Sequence, residues 1–157
     1  KPKFIMKNSL KYAPVLGWFA LRIGCICVER GKRTQAIKSM VAAVNSGNSP
    51  AGQLIIYPQG TRIAPGATTP YKIGTAVLYQ ETGQTCIPAA TNVGVFWPKY
   101  GILRQPGLAV IQFLPAIQPG LSNELFMHRL EEVIEQSSNA LLEEAATDGF
   151  YPVGQDT

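Results

Sequence analysis

The chain has a single histidine, few cysteines and hardly any acid in its first third. One imidazole, His128, with three scattered thiols does not supply the four clustered ligands of a structural zinc site. Three cysteines are an odd number without framework spacing, which excludes a disulfide-stapled scaffold. Small buried thiols in a reducing compartment are the reading that fits. No apolar run reaches the roughly 18 uninterrupted residues of a spanning helix. The longest, residues 13–28, is broken by Arg22 and carries Pro14, Gly17 and Gly24. No stretch reads as a secretory signal, an internal repeat or a low-complexity tract.

Acid is missing where base is plentiful. Residues 1–50 hold nine Lys or Arg against Glu29 alone, whereas residues 121–157 hold eight acids against Arg129. The formal net charge of +4 conceals this polarity. A basic front half suits an anionic partner, whether a phosphate-bearing substrate, a membrane surface or nucleic acid; a solvated basic face is the plain alternative. Nucleic acid is the weakest of these, because the basic residues do not interleave with aromatics suited to base stacking and no reading motif is present.

What is present is enough for one domain with a full hydrophobic core: 157 residues, 46% of them hydrophobic. Lys at position 1 and an apolar run from Phe4 read as part of a longer chain, a single domain over residues 1–157 truncated at its N-terminus. Strands are expected at residues 4–6, 25–28, 54–57, 85–90 and 108–114, the fourth with Pro88 inside it and therefore at an edge or a bulge. Helices are expected at residues 14–23, 34–45, 72–82 and 124–146, with Asn8 or Ser9 as a cap, Pro14 at a start or kink, and Gly24, Gly47 and Gly83 as stops. Residues 95–106 read as irregular. Alternation of strand and helix points to an α/β layered domain with a mostly parallel sheet, crossover helices and one long C-terminal amphipathic helix. His128 falls among the polar positions of that helix, as a solvated or capping side chain. The stretch 14–23 is apolar nearly all round. A buried core helix is its first reading, and a shallow membrane-contacting helix, helped by nearby lysines, its second.

The stretch that organises the rest is Gln53 to Arg62. Leu54 to Tyr57 form a buried strand that stops at Pro58. Gly60 then permits close backbone approach, Thr61 offers a hydroxyl and an amide, and Arg62 a guanidinium suited to an oxyanion. Such a turn at the carboxyl end of a strand reads either as a phosphate or carboxylate site or as an ordinary strand exit with a surface arginine.

Three stretches together resemble the glycerolipid acyltransferase family. Its third block, Phe-Pro-Glu-Gly-Thr-Arg, is similar to Tyr57-Pro58-Gln59-Gly60-Thr61-Arg62 and is the specific one. Its second block resembles Gly24-Cys25-Ile26-Cys27-Val28-Glu29-Arg30, and its fourth Cys86-Ile87-Pro88-Ala89-Ala90; the family's Lys-x-Gly is matched by Lys72-Ile73-Gly74. Two departures stand out. The family's first block, His-x-x-x-x-Asp, supplies the general base, whereas here five residues beyond the only histidine stands Val133. The resemblance therefore places that block upstream of Lys1 and no catalytic residue within this chain. Gln59 stands where the family usually has Glu, keeping hydrogen-bonding capacity but not charge.

The resemblance implies acyl transfer from acyl-CoA or acyl carrier protein to the free hydroxyl of lysophosphatidic acid, a step of phospholipid biosynthesis yielding phosphatidic acid. No cofactor and no metal are implied. Arg30, Gly60, Thr61, Arg62 and Lys72 would hold the phosphate, with Gln59 and Pro88 positioning the substrate. Partners would be a lysophospholipid, an acyl thioester and a membrane surface, with the protein on the cytoplasmic face of a membrane, either peripheral or anchored through N-terminal helices that precede this sequence. Two other readings are a non-catalytic headgroup-binding module and an acyltransferase for glycerol-3-phosphate or another lyso-lipid.

Overall fold

A computed structural model of the protein describes residues 2–28, 38, 41–42, 52–98, 102 and 104–151. Strand β1 (Pro2–Lys7) leads through a 3-10 helix (Asn8–Tyr12) into α1 (Leu16–Arg22) and β2 (Ile26–Val28). After β3 (Gln53–Ile55) come α2 (Gly74–Thr82), β4 (Ala89–Thr91), a short α3 (Val93–Phe96), β5 (Ile111–Phe113) and the long α4 (Asn123–Thr147). The helix expected at residues 34–45 lies mostly outside the described residues, with Lys38, Val41 and Ala42 helical.

The domain is α/β, with strands in two groups. β1 is central to a parallel trio, pairing β2 from Ile5↔Ile26 and β3 from Pro2↔Gln53. β4 and β5 form a separate antiparallel pair. The expectation of parallel pairing therefore holds for the first three strands only. The 3-10 helix and α1 supply the crossover between β1 and β2, whereas the link from β4 to β5 contains only the four-residue α3 among its described residues. The strand expected at residues 85–90 is interrupted where Pro88 stands. Cys86 bridges Ile117, while Ala89 opposes Phe113, so the pairing shifts by one residue between them. That shift is a bulge, with Pro88 on one side and Pro115 on the other.

The core lies between α2 and α4. Tyr71, Ala76, Tyr79, Ile117, Phe126 and Leu130 form its main cluster, and the Tyr79 and Phe126 rings stack with centroids 3.9 Å apart. α4 packs because its apolar residues recur on one face, Phe126, Leu130 and Leu141 being buried; Ser122 caps it by accepting from the Leu125 amide. Gly83 ends α2 in the left-handed conformation, φ 57°, donating to the Tyr79 carbonyl. His128 is exposed on α4, 4.0 Å from Glu132.

α1 corrects two expectations. Neither Asn8 nor Ser9 caps the 3-10 helix, and α1 starts beyond Pro14 at a tight turn in which the Leu16 amide donates to the Pro14 carbonyl at 2.6 Å. More important, α1 is not a buried core helix. Only its small residues, Gly17 and Ala20, are buried. A Cβ built on Gly17 would meet the Lys11 carbonyl oxygen at 2.3 Å, so the helix rests directly on the 3-10 backbone. Gly17→Ala is therefore expected to destabilise the α1 contact by about 1–3 kcal/mol. Hydrogen exchange of the α1 amides reads this; exchange unchanged from wild type would contradict the close approach.

Candidate functional site

The third-block residues form a turn at the exit of β3. Tyr57 to Gly60 close a β-turn, the Gly60 amide donating to the Tyr57 carbonyl at 2.9 Å, with Pro58 and Gln59 at the centre. Gly60 has φ 69°, a conformation that a side chain would strain. Thr61 and Arg62 follow, both exposed.

The chain then returns to the same place. The Lys72 amide donates to the Pro58 carbonyl at 2.7 Å, which closes the neck of a loop formed by residues 59–71. The Lys72 stem lies over Gly60, its Cγ only 3.5 Å from where a Cβ would stand. Glycine at 60 is required by its backbone angle; a Cβ there would make only an ordinary van der Waals contact with the Lys72 stem. Lys72 and Arg62 are exposed, and neither forms an ion pair among the described residues. No Asp or Glu occurs anywhere from Arg30 to Gln80, so Gln59 adds no charge to oppose an anion here. One loop thus carries a guanidinium, an ammonium and a hydroxyl, the donor types that suit an oxyanion, and runs into the first turn of α2 with its positive dipole end.

Two further contacts fix this loop, and neither was visible in the sequence. Pro65 packs against Gly94 of α3, its Cγ 2.9 Å from a Cβ placed there. Tyr71, next to Lys72, is buried in the main core and donates its hydroxyl to Glu135 of α4 at 2.7 Å. A partner 64 positions away leaves no local signal. Burial, then the Glu135 hydrogen bond and the charges of Glu135 and Glu131, push the Tyr71 phenol well above its ordinary range.

That shift has a definite sign. The folded chain keeps the Tyr71 proton at pH values where the unfolded chain, titrating near 10, releases it. The contribution is therefore complete below about pH 10 and is lost as pH rises beyond it. Unfolding free energies of wild type and Tyr71→Phe, measured by denaturant from about pH 8 to about pH 11, should converge as pH rises. At neutral pH the Phe variant should be about 1 kcal/mol less stable. A constant difference across the range would exclude Tyr71 as the titrating group.

Of the residues expected to form the site, the structure thus brings together Gln59, Gly60, Thr61, Arg62 and Lys72. Arg30 lies outside the described residues. Pro88 is buried in the antiparallel pair, where its carbonyl accepts from the Leu114 amide at 2.9 Å. Cys25, Cys27 and Cys86 are free and partly buried. No described helix is long and apolar enough to cross a membrane.

A family model described as Acyltransferase matches residues 1–92, more than half of the chain and all of this loop. The chain belongs to the acyltransferase family. It is similar to the 1-acyl-sn-glycerol-3-phosphate acyltransferase of Pseudomonas aeruginosa, 28% identical over 113 residues, or 72% of this chain and 44% of the relative. The protein of the same name from Saccharomyces cerevisiae is 27% identical over 155 residues, covering 96% of this chain and 50% of its own. The chain spans about half the length of these curated relatives. No solved structure matches it.

Proposed function

We propose that this chain supplies the phosphate-holding part of a lysophosphatidic acid acyltransferase. In the reaction, the free glycerol hydroxyl attacks the carbonyl carbon of an acyl thioester of coenzyme A or acyl carrier protein. The hydroxyl proton passes to a base, the C–S bond breaks and the thiol leaves, giving phosphatidic acid. The single observation that supports this role is the closed loop that lays Lys72 across Gly60, next to Thr61 and Arg62. A phosphate fixed there aims the adjoining glycerol, which turns a chance encounter into an oriented one. Arg30, the match to the second block, is assigned to the same phosphate. Gln59 completes the turn without a negative charge, and Pro88 acts on the site only through the sheet that holds it.

The family's His-x-x-x-x-Asp does not occur in these 157 residues. The chain by itself is therefore expected to bind acceptor without turning it over. Titration with a short-chain, water-soluble lysophosphatidic acid, followed by phosphorus NMR, tests the binding. The phosphomonoester should bind saturably, and the choline-capped analogue about tenfold more weakly or worse. Equal binding of both would sink the phosphate assignment. Release of phosphatidic acid by the isolated chain would sink the account of the base.

A further inference from the structure

In an ordinary surface helix the large apolar side chains face the domain and the polar ones face water. α1 is built the other way round. It rests on the domain through Gly17 and Ala20, and turns its bulk outward: Val15 is 70% exposed, Leu16 56%, Trp18 55%, Phe19 55% and Leu21 54%. Tyr12, at the end of the 3-10 helix, extends the same segment and is 77% exposed. Monomeric soluble proteins rarely display so many large apolar groups in one place, and such a patch marks a surface that meets something apolar.

Charge identifies that partner. No Asp or Glu occurs in residues 1–28, whereas Lys7, Lys11 and Arg22 flank the exposed segment. Two of the three lie over its aromatic rings, Lys11 4.8 Å from the centre of Tyr12 and Arg22 4.7 Å from the centre of Trp18. Large aliphatic side chains, ring systems with a polar edge and a cationic border without an acid are what an anionic lipid surface takes up. Seven helical residues cannot span a bilayer, so the contact is a shallow one in the plane of the interface.

We propose that the 3-10–α1 segment is a membrane-docking wedge that inserts Trp18, Phe19 and their apolar neighbours among anionic lipids, with Lys11 and Arg22 at the headgroups. The test uses the protein with Trp97→Phe, so that Trp18 is the remaining tryptophan. Vesicles of phosphatidylglycerol mixed with phosphatidylcholine should shift Trp18 emission to the blue, and sedimentation should carry the protein down with them. Vesicles of phosphatidylcholine alone should bind it far less. Trp18→Ser/Phe19→Ser, in the otherwise natural sequence, should abolish sedimentation. Lys11→Gln/Arg22→Gln should weaken it by about fivefold per cation, on the order of twenty-five-fold for both.

Unmoved Trp18 emission, or full sedimentation of both double variants, would overturn the proposal. So would a change in the oligomeric state of Trp18→Ser/Phe19→Ser in the absence of lipid, which would assign the patch to a second copy or another protein surface. Should the serine variant misfold by circular dichroism, the emission shift and the charge variant still decide. Binding of soluble lysophosphatidic acid should be unchanged in every variant, which keeps failure here separate from failure of the phosphate loop.

Discussion

Arg62→Ala should weaken binding of short-chain lysophosphatidic acid by about 2–5 kcal/mol, roughly thirtyfold at the lower end. The size follows from what binding would do to this side chain. In the free protein Arg62 is exposed and unpaired among the described residues, where a lone charge contributes little. A bound phosphate would shut out water and accept two parallel hydrogen bonds from the guanidinium, and that is the state the alanine variant lacks. Arg62→Lys should recover only part of the loss, since an ammonium offers a point charge in place of a planar fork. Arg129→Ala, on the exposed face of α4, sets the control and should change affinity by no more than about twofold. Because Arg62 takes no part in the core, the denaturation midpoint should not move. Equal effects at 62 and 129 would mean that the loop is an ordinary strand exit.

Phe126→Ala should act in the opposite manner, costing about 3–5 kcal/mol of stability. Phe126 is fully buried and stacked on Tyr79, so its removal leaves a void bounded by two helices that cannot easily collapse. Against a total of about 5–15 kcal/mol for a domain, that is a large share. Denaturant unfolding measures it directly. Phosphate affinity should fall as well, because a loosened α4 no longer holds Glu135 against Tyr71, and Tyr71 adjoins Lys72. A loss below about 1 kcal/mol would show that the α2–α4 contact is not the centre of the fold.

These two substitutions also show what could be read in advance. Phe126 was legible because α4 repeats its apolar residues with a helical period that assigns them to one side. The Gly60-Thr61-Arg62 turn was legible because its chemistry is contiguous. α1 was not, since a segment apolar all round has no period and hence no direction. What orients it is the close seating of Gly17 on the Lys11 backbone, a tertiary fact. The separate antiparallel pair was hidden for a related reason: Ile111–Phe113, with Gln112 between two apolar residues, has a pattern that would suit either sense of pairing. Lys72 was joined to the turn only through family resemblance, and the structure supplies the physical link through Pro58 and Gly60. Tyr71 and Glu135 could not be paired beforehand by any rule of spacing.

The bond between the Lys72 amide and the Pro58 carbonyl has an implication for how such a protein can vary. It acts as a drawstring: whatever happens to the rim between residues 63 and 70, β3 and α2 still meet at the same point. Doubling the length of a flexible rim costs only about 0.6 kcal/mol in closure entropy. Grafts and insertions there that keep the Pro65–Gly94 contact should leave the scaffold intact while altering what stands beside the proposed phosphate site. A change of acceptor would then need only a new rim, with no redesign of the sheet beneath it.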